Sequence, residues 1–142
     1  MIYSGTGAGD LSDLADTVKR TVDTLKPFKD RFDFIAVSGM SGALVGAPAA
    51  LRLNRPLVIV RKNSDDHHGG RGEVINRQAV KGSYVFLDDF IYSGTTQRYV
   101  IDKLSEHDAD GGVEHVGDLL YNGGTGKQYH DPELRWKRGK GE

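Results

Sequence analysis

The 142-residue chain carries 19 basic and 20 acidic residues, a formal net charge of -1, and no cysteine. A chain of this length makes one domain that buries about 68% of its unfolded surface. The lack of cysteine excludes a disulfide scaffold, a cysteine nucleophile and a thiolate metal site, and the balanced charge excludes a global field that would draw nucleic acid or an anionic membrane.

The longest apolar stretch, Ala43–Leu51, is less than half the ~20 residues a membrane span needs, and Met1 is followed by neither a basic n-region nor an apolar h-region. The expectation is a soluble, cytoplasmic single domain over residues 1–142. No membrane or nucleic-acid partner is expected.

Leu11, Leu14, Ala15, Val18, Val22 and Leu25 fall at helical steps, which predicts an amphipathic helix over about 11–26, ended by Pro27. Phe34-Ile-Ala-Val37 is a short apolar strand, stopped by Ser38-Gly-Met-Ser-Gly42. The small-residue run Ala43 to Leu53 predicts a helix, which Pro48 either kinks or forces to start later than Gly42. Leu57-Val-Ile-Val60 is apolar on both faces, as a central parallel strand must be. Residues 62–82 show little periodicity and read as a long flexible loop, of a length that goes with a functional lid or with disorder, containing Asp65, Asp66, His67, His68 and several glycines. Tyr84-Val-Phe-Leu87 is a third buried strand, 95–104 a helix with Val100, Ile101 and Leu104 inward, and 113–121 a fourth strand. Residues 122–142 form a glycine-rich, polar tail whose one large apolar anchor is Trp136.

Strands alternating with helices predict an α/β fold: a doubly wound parallel sheet of four or five strands in a three-layer arrangement, with helices on both faces. Such sheets bind ligands at the carboxyl ends of their strands. Function is therefore expected in the loops after Val37, Val60 and Leu87.

The third strand delivers two adjacent carboxylates, Asp88 and Asp89, and then Phe-Ile-Tyr92-Ser93-Gly94-Thr95-Thr96 opening a helix. Backbone N–H groups at a helix N-terminus attract an anion, the hydroxyls of Ser93, Thr95 and Thr96 add donors, and Gly94 permits close backbone approach, a set suited to a phosphate monoester. Two carboxylates there would repel the ligand unless they accept from its hydroxyls or act through a divalent cation. A sugar phosphate with vicinal hydroxyls satisfies both halves. The same residues would also serve as a plain helix cap beside solvated aspartates.

Leu87-Asp-Asp-Phe-Ile-Tyr-Ser-Gly-Thr-Thr96 resembles the phosphoribosyl-pyrophosphate (PRPP) motif of type I phosphoribosyltransferases. The resemblance extends over about 34–121. Ser38-Gly39-Met40-Ser41-Gly42 stands where that family has its pyrophosphate loop, and Val60-Arg61-Lys62 followed by Asp66-His67 is similar to the start of the flexible loop of orotate phosphoribosyltransferases. The resemblance implies that Asp88 and Asp89 hold the ribose hydroxyls and, through substrate oxygens and water, Mg²⁺. It implies that Tyr92, Ser93, Gly94, Thr95 and Thr96 cradle the 5′-phosphate. Ser38 to Ser41, Arg61, Lys62 and His67 would meet the pyrophosphate. The implied partners are PRPP and a nucleobase, and the implied assembly is a homodimer.

Two positions depart from the family. The orotate-type loop carries a lysine two residues before the histidine, where this chain has Asp65, so a cation has become an anion. Either Arg71 or His67 takes over the pyrophosphate, or the protein binds more than it catalyses. Where 6-oxopurine enzymes place an aspartate base, this chain has Tyr92, and a phenol of pKa ~10 is a poor substitute near neutral pH. Orotate or another pyrimidine, or adenine, is thus favoured over a 6-oxopurine. The rival to an enzyme is a catalytically weak PRPP or nucleotide sensor on the same fold.

Other signals carry less. Asn122-Gly-Gly-Thr-Gly-Lys127 lacks the first glycine and the Ser/Thr of a phosphate-binding P-loop, and Gly5-Thr-Gly-Ala-Gly9 lacks the spacing of a dinucleotide fingerprint. Asp65, Asp66, His67 and His68 are adjacent residues that read as a solvated polar loop before a metal site.

Overall fold

The computed structural model describes residues 11–61, 73–89, 94–107, 112–122 and 132–137. In chain order these form α1 (Leu11–Leu25), a 3-10 turn (Lys26–Arg31), β1 (Phe34–Val37), α2 (Gly39–Leu53), β2 (Leu57–Arg61), β3 (Glu73–Ile75), a second 3-10 turn (Arg77–Ala79), β4 (Gly82–Asp88), α3 (Thr95–Ser105), β5 (Val113–Leu120) and β6 (Glu133–Trp136). They build one six-stranded sheet of order β3-β2-β1-β4-β5-β6. The four inner strands are parallel, and each edge strand pairs antiparallel with its neighbour.

Both faces are covered. On one, Val18 and Leu25 of α1 and Val45, Ala50 and Leu53 of α2 pack on Ile35, Val37, Val85, Leu87 and Leu119. On the other, Val100 and Leu104 of α3 pack on Phe34, Ala36, Val58, Val60, Tyr84 and Phe86. Every residue of β1 is buried, because it is the strand sandwiched between both layers.

The doubly wound α/β architecture is as the sequence predicts, with two differences. The sheet has six strands, because β3 lies inside the segment read as a loop and β6 inside the segment read as a tail. A strand of three or four residues is too short to show period-two alternation, and hydrogen bonds to an existing edge rather than its own pattern create it. Trp136 is the anchor expected: it packs edge-on to Phe28 at 5.5 Å, with the Arg31 guanidinium 4.0 Å above its ring.

The second difference is α2, which begins at Gly39 and runs through Pro48. Proline there removes one backbone donor, but the flanking Val45, Gly46, Ala49 and Ala50 are buried, and that packing holds the helix together. The small residues let α2 lie close on the sheet. A Cβ added at Gly46 would stand 2.7 Å from Val37 Cγ1 and 3.2 Å from Leu57 Cδ1. Asn54 ends the helix in the left-handed conformation, its N–H turned back to the carbonyls of Ala50 and Leu51.

Helix propensity and packing make opposite predictions at Gly46. Alanine gains ~1 kcal/mol of propensity, whereas overfilling a packed core costs about 1–3 kcal/mol. The 2.7 Å approach decides for packing. Gly46→Ala is expected to lower stability in urea denaturation, and a stabilised variant would show that α2 can lift off β1 freely.

Candidate functional site at the carboxyl edge of the sheet

The parallel register levels the strand ends. Val37 pairs with Ile59 on one side and with Leu87 on the other, and Leu87 pairs with Leu119. From β1 the chain crosses through α2 to β2, whereas from β4 it crosses through α3 to β5 in the opposite direction. The boundary between β1 and β4 is therefore the switch point of the sheet, where diverging connections open a crevice. Ser38 to Ser41 follow β1, Asp88 ends β4 and Asp89 follows it, so the structure brings these two sequence-predicted groups to the two sides of that crevice.

Several polar groups here are buried. Ser38, Ser41 and Asp89 are 7%, 5% and 8% exposed, although they lie at the end of the sheet rather than in its core. Gly39 and Met40 are exposed. Gly39 has φ +80°, a conformation that favours glycine, and it turns the chain from β1 into α2. Gly42 allows the first turn of α2 to approach β4, since its added Cβ would lie 3.4 Å from the Leu87 carbonyl oxygen.

The ladder between β4 and β5 continues past the strands and fixes the acidic pair. The N–H of Tyr121 donates to the Asp88 carbonyl at 3.0 Å and that of Asn122 to the Asp89 carbonyl at 2.9 Å. The Asp88 carboxylate folds back to accept from the Asp89 N–H at 2.8 Å. A carboxylate has about four acceptor positions, and this bond uses one of them to set its orientation.

Gly94 precedes α3 with φ +80° and ψ 1°. It accepts the Arg98 N–H on its carbonyl at 2.9 Å. Thr95 is exposed and Thr96 half-buried at the first turn. The Arg98 side chain lies alongside, with Nη1 3.1 Å from the position a Gly94 Cβ would take. This places a guanidinium at the candidate anion loop, a residue the sequence reading passed over. Its only signal was the step of four from Gly94 along a helix. Asn122, 4% exposed, was also passed over. Its amide nitrogen meets no acceptor among the described residues.

Arg61 ends β2 at the rim and pairs with Glu73 of β3, Nη1 to Oε1 3.2 Å, with both side chains largely exposed. Exposed pairs contribute ~0–1 kcal/mol, so a strongly anionic ligand can displace this one. Lys62, Asp65, His67, Tyr92 and Ser93 lie outside the described residues. Among the described residues no three His, Asp or Glu side chains converge as a metal cage. Asp88 and Asp89 are the carboxylates that would hold a Mg²⁺, through substrate oxygens and water.

Chains of known structure share this fold. An orotate phosphoribosyltransferase from Aeropyrum pernix superposes with TM-score 0.62 at 24% identity, over 79% of this chain and 60% of that one. The fold is that of the type I phosphoribosyltransferases. An adenine phosphoribosyltransferase from Thermoanaerobacter pseudethanolicus superposes with TM-score 0.56 at 26% identity, over 77% of this chain and 67% of that one. An adenine phosphoribosyltransferase from Trypanosoma brucei, solved with AMP, pyrophosphate and ribose-5-phosphate, gives TM-score 0.53 at 21% identity, over 84% of this chain and 61% of that one. The chain thus spans about 60% of the length of the orotate enzyme it matches. No protein-family model matches the sequence, and no curated protein does. No helix among the described residues is long and apolar enough to cross a membrane.

At Gly94 the backbone conformation disfavours any side chain, and a β-branched one would also crowd Arg98. Gly94→Val is expected to abolish ribose 5-phosphate binding in a calorimetric titration while the chain stays folded. Binding equal to wild type would reduce the segment to a helix cap.

Proposed function

We propose that this chain is a phosphoribosyltransferase that moves ribose 5-phosphate from PRPP to a nucleobase, with Mg²⁺, releasing pyrophosphate. The observation that carries the reading is the switch point itself. A PRPP-type acidic pair and a buried hydroxyl-lined turn flank one crevice, in a fold shared with orotate and adenine phosphoribosyltransferases.

In this reaction the nitrogen of the base attacks C1 of the ribose, the C1–O bond to pyrophosphate breaks, and the leaving group departs with the electron pair. The base gives up its proton to water. Asp88 and Asp89 accept from the ribose hydroxyls and orient C1, while the 92–96 segment holds the 5′-phosphate through N–H and hydroxyl donors. Charge grows on the pyrophosphate as the bond breaks, so donors and cations aimed at it stabilise the transition state more than the ground state. Ser38 to Ser41, Arg61, Lys62 and His67 take that part. When bound, Mg²⁺ supplies further charge neutralisation for the leaving group.

The acceptor is orotate, another pyrimidine or adenine before a 6-oxopurine, because Tyr92 stands where a carboxylate base would be needed. The site of action is the cytoplasm. A homodimer belongs to the same reading, supported by the outward face of α2. Met40, Leu44 and Leu51 lie there, 69%, 37% and 82% exposed, and would suit a contact with a second copy of the chain. Asp65, an anion in place of a cation, supports the rival reading of a PRPP sensor.

Incubation with PRPP, Mg²⁺ and each base in turn, reading pyrophosphate release, tests the proposal. Turnover with orotate, another pyrimidine or adenine is expected, and tight PRPP binding without turnover on any base would favour the sensor. Asp89→Asn is expected to weaken PRPP binding by about one to two orders of magnitude through loss of a charged acceptor. An unchanged affinity would remove the ribose assignment.

A further inference from the structure

A buried polar network lies behind the candidate phosphate loop. Asp118 of β5 is 8% exposed. Its Oδ2 accepts from Gln97 Nε2 at 2.8 Å, and its Oδ1 meets His115 Nε2 at 2.8 Å. A carboxylate only accepts, so in this bond the His115 Nε2 carries the hydrogen. The His115 ring in turn lies 5.5 Å from that of Tyr84, which stacks on Phe34 at 5.0 Å. Burial, then the carboxylates of Asp118 and Asp102, push the Tyr84 phenol up.

A feature of the sheet creates this network. Residues three apart in a regular strand point to opposite faces. Between β4 and β5, however, Tyr84 pairs with His115 and the next residue, Val85, pairs with Gly117, leaving Val116 as an extra residue. This bulge shifts the alternation by one, so His115 and Asp118 share the face covered by α3.

Gln97 is the third residue of α3, directly after Gly94, Thr95 and Thr96. A buried charge is costly unless fully hydrogen-bonded. The Asp118 carboxylate therefore holds Gln97, and with it the first turn of the helix, at a set height over β5.

We propose that Gln97 and Asp118, supported by His115, are positioning residues that fix the first turn of α3 so that its N–H groups and hydroxyls converge on a phosphate monoester. The inference rests on the phosphoribosyl reading of the 92–96 segment. It adds that the precision of the cradle is set from β5 by a bulge and one carboxylate.

The test compares ribose 5-phosphate and Mg²⁺-pyrophosphate as separate probes in calorimetric titrations of wild type, Gln97→Leu, Asp118→Leu and Asp118→Asn, each with its melting temperature. The pyrophosphate probe reports on the β1–α2 turn, which the network does not touch. Gln97→Leu and Asp118→Leu are expected to lose about tenfold in ribose 5-phosphate affinity, with pyrophosphate affinity unchanged. Asp118→Asn keeps an acceptor for Gln97 and is expected to restore most of the binding. Gln97 is only half-buried, so its variant stays informative if Asp118→Leu does not fold. Equal loss of both ligands, or no loss of either, would overturn the inference and leave the network as general support for the fold. A wild-type chain that binds no ribose 5-phosphate would overturn the phosphoribosyl reading itself, and this inference with it.

Discussion

The level register of β1 and β4 is the constraint on which the site depends. These strands are hydrogen-bonded neighbours in parallel, Phe34 to Val37 against Tyr84 to Leu87, and the crossovers that leave them diverge. Two loops far apart in sequence are thus forced to begin at the same height with no helix between them. Shifting the pairing by one residue would turn every side chain of one strand to the other face. It would bury residues meant for the opposite core, and it would separate Ser38 from Asp88. The hydrophobic cost of mispairing thereby enforces the geometry of a polar crevice.

Close packing of α2 reinforces this. Gly42 and Gly46 let the helix sit against Val37, Leu57 and the Leu87 carbonyl at distances a side chain would not permit. The helix start is therefore pressed onto the end of β4 rather than hinged away from it. A similar close approach occurs at the opposite edge, where the Asp33 carboxylate accepts from the Ser83 N–H at 2.8 Å and fills the space beside Gly82. Polar contacts of this kind pin both ends of β1 and β4 while the apolar middle supplies most of the stability. The main chain of the acidic pair is also held by hydrogen bonds, from the N–H groups of Tyr121 and Asn122 to the Asp88 and Asp89 carbonyls.

What the sequence discloses and what it hides follow from the range of the interactions involved. Phe34–Val37 and Tyr84–Leu87 are apolar because they are buried on both faces, and Leu57–Val60 because one face is buried and the other half-buried; that requirement is local, so the inner strands can be read directly. The acidic pair and the Ser-Gly-Thr segment are also contiguous, and their chemistry is legible for the same reason. Strands β3 and β6 are not, since each exists by pairing with an edge formed elsewhere in the chain. The passage of α2 through Pro48 depends on how Val45 and Ala49 pack, which no local rule contains. Arg98, Gln97, Asp118 and His115 escaped notice because their roles arise from a helix step, a bulge and a contact across 21 residues of chain. Lys62, His67, Tyr92 and Ser93 remain readings of the sequence.

The central claim is that the crevice between β1 and β4 takes the phosphoribosyl group of PRPP, and its most direct test is a crystal structure of the chain grown with PRPP and Mg²⁺. The account predicts ribose hydroxyls on Asp88 and Asp89, the 5′-phosphate at the start of α3 beside Gly94 and Arg98, and pyrophosphate over the Ser38 to Ser41 turn. PRPP bound elsewhere, or a 5′-phosphate lying away from the first turn of α3, would contradict it.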